Sequence, residues 1–304
     1  MGPVQKFPFE RTCMDGIIIV NKPIGCTSHD IVYKIKKMFN EKIGHTGTLD
    51  PMAEGVLPIL IGKGTLLSKY LINHNKKYIV ELQLGIKTDT ADGEGKIVEQ
   101  KKVNEEKLSK ENIEKVFQSF IGKQEQIPPM YSAIKVNGKK LYEYARKGQE
   151  VNIKPRQIEI YKIDLIQYSA KEKQIKFEVS CGKGTYIRSL CEDIAKKLGT
   201  VGYMKSLKRI QVGDFKIEDS ITINQLEEYI QDNNFKKSKI ISIENIFGKN
   251  DIIKLDKNKL NLFLNGVRLT QQLGDGVYKI YDENGLFIGT GIIKEQLLKR
   301  DIIL

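Results

Sequence analysis

The irregular order of apolar segments constrains this chain more than any other feature. Residues 16–20 form a β-branched apolar run and residues 56–61 a second; both read as buried strands. Residues 77–85 alternate Tyr78, Val80, Leu82 and Leu84 against Glu81 and Gln83, the period-two pattern of a half-buried strand. Helical spacing intervenes. Ile31, Val32, Ile35, Met38 and Phe39 share one face behind a Ser28 cap, and Ile113, Val116, Phe117 and Phe120 share another. Residues 64–72 read as a further helix, and residues 156–168 and 174–181 as paired strands. Ile187, Leu190, Cys191, Ile194 and Leu198 form an apolar face behind Thr185, which stops at Gly199. A basic strand is expected over residues 201–215 and a helix around Ile223, Leu226 and Ile230. Strands and helices mix without regular β-α-β alternation, which predicts an α+β chain rather than a doubly wound sheet.

The polar stretch QDNNFKKSK at residues 231–239 marks a domain boundary. Beyond it, residues 277–281 and 286–291 flank Asp282, Glu283, Asn284 and Gly285, an Asn-Gly type of hairpin turn. A small β-rich domain of about 60 residues is the natural reading of this tail.

Charge narrows the partner. Fifty Lys+Arg against 38 Asp+Glu give 50 − 38 = +12. A basic excess points to a polyanion, nucleic acid first, because Lys and Arg displace counterions condensed on phosphates. Apolar runs are too short to span a bilayer, and MGPVQKFPFE has neither the core of a signal peptide nor a Ser/Thr at position six for myristoylation. Cys13, Cys26, Cys181 and Cys191 form no C-x-x-C pair, which points to the reducing cytosol rather than a zinc or disulfide framework. No G-x-x-x-x-G-K-[ST] or strand-linked G-x-G-x-x-G occurs, and His29, His45 and His74 share no metal-ligand spacing. Residues 89–94 (DTADGE) superficially suggest a calcium loop, but the carboxylate spacing is wrong and a solvated turn is expected.

The loop GHTGTLDP at residues 44–51 carries the most information. Its glycines permit close approach of another molecule, and Pro51 pushes Asp50 out of the α region, so one carboxylate is presented in a fixed direction. That arrangement suits a nucleophile or general base. GHTGTLDPMAEGVLP resembles the central motif of the tRNA pseudouridine synthase B family. So do GIIIVNKPIGCTSHDIV before it and KKYIVELQLGIKTDTADGEG and CGKGTYIRSLCEDI after it, in family order and spacing over most of residues 15–215.

The resemblance implies an α+β fold: a mixed, mainly antiparallel-sheet catalytic domain over residues 1–235 and a small PUA-like β-rich RNA-binding domain over 240–304. It implies isomerisation of uridine-55 in the T-loop of tRNA to pseudouridine, on a flipped-out base, without cofactor or metal. Asp50 matches the family nucleophile and Arg188 the arginine that pairs with it, which would lower the carboxyl's pKa and orient it. Tyr78 matches the tyrosine that stacks on the base, Tyr186 a substrate-contacting tyrosine, His45 the histidine inserted among the T-loop nucleotides, and Leu207 a leucine of the uracil pocket. Lys22 and Pro23 read as structural support. The chemical route, whether attack falls at C1′ or at the base or an elimination intervenes, stays open at this level.

Residues 124–152 resemble the family's RNA-clamping insertion. Lys135, Lys139, Lys140, Arg146 and Lys147 interleave there with Tyr131, Tyr142 and Tyr144, and some mobility is expected. Lys205, Lys208 and Arg209 would extend the basic face. The expected setting is a cytoplasmic monomer acting on the T-arm of tRNA, with no membrane and no obligate protein partner. Two other readings share the motifs: a non-catalytic RNA-folding factor, and a guide-RNA-directed synthase within a larger particle.

Overall fold

A computed structural model describes residues 15–149, 151–231 and 239–304. Cys13, the N-terminal stretch and most of the expected boundary segment lie outside the described residues.

The chain begins with β1 (Gly16–Lys22), α1 (Ser28–Phe39), β2 (Ile43–His45) and β3 (Glu54–Ile61). A 3-10 turn over Gly62–Leu67 then leads into the short α2 (Ser68–Leu71). Next come β4 (Lys76–Leu84), β5 (Ile86–Thr88), β6 (Ile97–Gln100), α3 (Lys110–Gln118) and β7 (Gly122–Gln126). A small hairpin, β8 (Lys135–Val136) with β9 (Lys139–Lys140), runs into α4 (Leu141–Ala145). The long β10 (Arg156–Ser169), β11 (Gln174–Cys181), α5 (Ile187–Lys197) and β12 (Gly202–Val212) follow, with β13 (Phe215–Lys216) and α6 (Ile223–Gln231) after them. The C-terminal part holds α7 (Ile243–Ile246), β14 (Ile252–Lys254), α8 (Lys257–Leu264), β15 (Leu269–Thr270), β16 (Gly276–Tyr281), β17 (Phe287–Lys294) and β18 (Leu297–Ile303).

One mixed sheet in the order β1-β3-β12-β4-β11-β10-β7 forms the first body, with β2 on β3 and β13 on β12. Its pairings are antiparallel except the short parallel pairing of β12 with β3. The α+β expectation therefore holds, and so does the mainly antiparallel sheet. The second sheet, β14-β16-β17-β18-β15, is antiparallel except for β14 against β16. Its hairpin turn carries Gly285 at φ 85, the left-handed conformation that the Asn-Gly pair signalled.

Alternation decides which face each side chain takes. Tyr78, Val80, Leu82 and Leu84 point to one face with Ile175, Phe177, Val179 and Cys181 of β11, and α3 and α5 cover them with Phe117, Leu190 and Ile194. The opposite side of β1 and β3 packs Ile18, Val20, Leu57 and Ile59 against Ile31 and Ile35 of α1 and Leu226 of α6. The two bodies meet where Ile17, Val56 and Leu60 join Phe247 and Ile302.

Two cap assignments change. Thr27, not Ser28, caps α1: its hydroxyl accepts from Asp30 N, and the Asp30 carboxylate closes a capping box. Ser28 is freed for a long-range bond. Tyr186, not Thr185, occupies the cap position of α5, and the Thr185 hydroxyl turns back to the Gly182 carbonyl at 3.1 Å.

Candidate active site

The Asp50 loop is fixed by its neighbours on both sides. The Ser28 hydroxyl accepts from Leu49 N at 2.8 Å and donates to Leu49 O at 3.1 Å. The Pro51 carbonyl accepts from Gly25 N at 2.9 Å and from Lys22 Nζ at 3.4 Å. Lys22 is fully buried, and its ammonium also holds the Cys26 and Pro23 carbonyls at 2.7 and 2.8 Å. Burial lowers its pKa, while Cys26 and Asp50 counteract that. The turn-rich segment after β1 is therefore a template for the acid-bearing loop, which gives the Lys22-Pro23 block its structural role.

Arg188, on the first turn of α5, reaches this loop. Its Nε lies 3.2 Å from Asp50 Oδ2 and its NH1 3.4 Å from Asp92 Oδ2. NH1 also donates to Thr90 O at 3.2 Å, and NH2 to Tyr131 O at 2.9 Å. The i,i+4 partner that the helix offers, Glu192, pairs instead with Lys87 at 3.5 Å. Side-chain exposure is 7% for Arg188 and for Asp92 but 36% for Asp50. Asp50 is the accessible end of an otherwise buried acid–arginine–acid chain.

Arg188 does pull the Asp50 pKa down, as expected, but it does not set the net direction. Burial dominates and raises it above the usual carboxylate value; Arg188 and Lys22 pull it down, but Asp92 adds a like charge that pushes it up. The turn at residues 89–94 is exposed at Asp89, Gly93 and Glu94, as expected, but turns Ala91 and Asp92 inward. Asp92 is buried, accepts from the Thr90 hydroxyl at 2.5 Å and from Glu94 N at 3.2 Å, and its loop joins β12 through Met204 N to Ala91 O at 3.1 Å. A carboxylate spacing useless for calcium serves instead to fold one acid inward onto an arginine.

The tyrosines stand around the acid. Tyr78 is buried on β4, and burial pushes its phenol up to about 12 against the opposing field of Arg209. Tyr186 is half-buried, and its backbone is clasped by Gln126, whose side-chain amide accepts from Tyr186 N at 2.8 Å and donates to Tyr186 O at 3.0 Å. Burial raises the Tyr186 phenol as well, and the field of Asp50 reaches both hydroxyls. Leu207, on β12 opposite Val80, is buried in the same core. His45 is half-buried at the end of β2, its Nδ1 accepting from Gly47 N at 3.3 Å. Burial, reinforced by Arg209, lowers its pKa, so the ring is neutral at physiological pH.

Arg209, expected on the basic surface, is instead 2% exposed. It lies opposite Tyr78 across β12 and β4, and its guanidinium donates to Val56 O at 2.7 Å, Gly47 O at 3.1 Å and Thr48 O at 3.4 Å. Its remaining donors face the Tyr78 hydroxyl. One side chain thus locks the His45–Asp50 loop to the strand that carries Tyr78. Gly55, at φ 112, makes room, since a Cβ there would lie 2.2 Å from Arg209 O. Of its expected companions, Lys205 is exposed and Lys208 pairs with Glu54 at 3.6 Å.

The 124–152 insertion is anchored at its base. Ser189 Oγ donates to Ile127 O at 2.9 Å, Arg188 holds Tyr131 O, and Leu141 is fully buried. Lys135, Lys139, Arg146 and Lys147 are exposed. Lys140 and Arg146 both lie 5.4 Å from the Tyr142 ring centroid, so that ring is engaged by cations.

A paired acid and arginine, a buried tyrosine and a mainly antiparallel sheet make up the candidate active site. Residues 36–187 match the family described as TruB family pseudouridylate synthase (N terminal domain). Residues 188–252 match its tRNA pseudouridylate synthase B C-terminal domain, and 252–299 the TruB C-terminal family. Similar proteins include the tRNA pseudouridine synthase B of Caldanaerobacter subterraneus subsp. tengcongensis, 43% identical over 289 residues covering 94% of this chain and 98% of the relative. That of Clostridium kluyveri is 45% identical over 289 residues, covering 93% and 96%. In fold, the chain is similar to a chain of a Cbf5-Nop10-Gar1 complex: TM-score 0.70, 24% identity, covering 98% of this chain and 88% of that one. The chain belongs to the TruB family of pseudouridine synthases.

Proposed function

We propose that this chain isomerises uridine-55 in the T-loop of tRNA to pseudouridine, with Asp50 as nucleophile on a flipped-out base. The observation that carries the reading is the Arg188–Asp50 pair, whose acid is the accessible member. The two relatives at 43 and 45% identity bear the name tRNA pseudouridine synthase B, which supports tRNA as substrate.

The reaction breaks N1–C1′ and forms C5–C1′; N1 gains a proton and C5 loses one, so nothing else is consumed. An ionised Asp50 aimed by Arg188 supplies the nucleophile. Turning the base requires extrusion from the RNA stack, at about a few kcal/mol. Tyr78, held by Arg209, offers a ring for stacking and a protonated hydroxyl. Leu207 closes the apolar side of the pocket, Tyr186 bounds its mouth, and neutral His45 stacks among the displaced nucleotides. The exposed cations of the 124–152 insertion and the C-terminal sheet would hold the RNA backbone. The catalytic unit would span residues 1–235 and the RNA-binding unit 240–304. Cys26, Cys181 and Cys191 are free thiols, which supports a cytoplasmic setting.

Incubating the purified chain with unmodified tRNA, with no other component added, and mapping the product tests this. We expect one pseudouridine, at position 55. No conversion, or conversion that requires an added guide RNA, would overturn the reading.

A further inference from the structure

At the start of β4 the end of the sheet opens into a polar hollow of about 490 Å³. Lys76, Lys77, His74, Ser180, Gln211 and the one acid Asp214 are among the residues that line it. Lys76 opens β4 two residues before Tyr78, so both side chains share a face about 7 Å apart along the strand. The register agrees: Tyr78 lies between Val179 and Arg209, and Lys76 between Cys181 and Val212.

Lys76 is a half-buried cation without an acidic partner. Among the described residues no carboxylate lies within ion-pair distance of it, and its Nζ donates only to Ile72 O, at 3.3 Å. The nearby acids are directed elsewhere: Glu178 pairs with Lys77 at 3.6 Å, and Asp214 acts on His74. The charges that do act on Lys76 include two further cations, Arg209 and Lys183. Lys183 sits at the rim, its Nζ 2.9 Å from Asn73 Oδ1. Burial and like charge both disfavour the ammonium, an arrangement that an anion entering the hollow would relieve. Gly213, at φ 56, packs so closely on His74 that a Cβ would lie 2.2 Å from Nδ1, which fixes the hollow's far wall.

We propose that Lys76, with Lys183 at the rim, forms a phosphodiester subsite for the RNA backbone adjoining the flipped nucleotide. The inference rests on the RNA-modifying reading above. It separates two tasks along one strand: Tyr78 takes the base and Lys76 the phosphate. A point charge in a roomy polar hollow positions backbone without reading sequence.

The test uses the full chain and a T-arm stem-loop RNA in two forms, one natural and one carrying neutral methylphosphonates flanking the target uridine. Binding is measured across salt concentrations for wild type, Lys76→Met, Lys76→Arg and Lys183→Gln. For Lys76→Met on natural RNA we expect affinity to fall at least fivefold and the log–log salt slope to shrink by about 0.7–0.9, one phosphate's worth. Lys76→Arg should recover most of both, and Lys183→Gln should give a smaller loss. On methylphosphonate RNA, wild type should fall to the level of Lys76→Met, and that variant should lose nothing further. An unchanged slope in Lys76→Met, or an equal methylphosphonate penalty in wild type and variant, overturns the subsite. If wild type modifies the natural RNA while the subsite test fails, the function stands and the subsite does not. If wild type neither binds nor modifies it, both fall.

Discussion

Arg188 joins two acids that differ in their access to solvent. Asp92 is enclosed and holds the guanidinium; Asp50 is the more exposed of the two, and the proposed reaction uses it. Because burial raises the Asp50 pKa above 3.8, activity at low pH should be lost as Asp50 protonates, with a midpoint above that value. A pH profile of single-turnover rates checks this; a midpoint at or below 3.8 contradicts it. The sign for stability is opposite to that of an ordinary ion-paired carboxylate. A folded pKa above the unfolded one means the native state binds more protons, so ionised Asp50 costs stability at neutral pH. Asp50→Asn should therefore melt at the same temperature as wild type or higher. Asp50 and Arg188 were legible in the sequence because both sit in short blocks that resemble a family motif. Asp92 and Arg209 were not, because their meaning comes from partners 96 and 162 residues away. No local pattern distinguishes an inward-turned Asp in a turn, or an arginine amid lysines on a strand, from its solvated counterpart.

Periodicity read the regular elements well. The alternation in β4 and the apolar face of α5 are properties of single segments, and the structure places both where the pattern requires. Caps fared less well, because Ser28 and Thr27 are equally good capping residues and only the long-range bond of Ser28 to Leu49 separates them. The basic insertion is an element whose ends are fixed and whose hairpin is charged. Replacing Lys139 and Lys140 by Gln should weaken tRNA binding and flatten its salt dependence, by about 0.7–0.9 for each phosphate that a lysine no longer neutralises. An unchanged slope in filter-binding titrations would place the RNA elsewhere.

At the scale of the molecule, the second sheet is docked onto the first body through polar interactions as well as apolar ones. Asp301 of β18, 3% exposed, accepts from Tyr70 Oη at 2.5 Å and Thr290 Oγ1 at 2.9 Å and pairs with Lys69. The Tyr70 ring meets Phe247 edge-on at 5.1 Å, and its phenol is raised by burial and by the Asp301 carboxylate. Asp301→Ala leaves two hydroxyls without their acceptor and should cost about 1–3 kcal/mol in urea unfolding. Asp301→Asn, which keeps an acceptor, should cost less; equal losses would show that these hydrogen bonds are not the source. This docking holds the second sheet against the first body.

The central claim is that one carboxylate does the chemistry and the rest of the molecule brings uridine to it. Parallel measurement of pseudouridine formation and tRNA affinity for Asp50→Asn tests that claim most directly. The account predicts no detectable product with a Kd within about twofold of wild type, since the substitution removes a charge and keeps the shape. Undiminished turnover in this variant would contradict it.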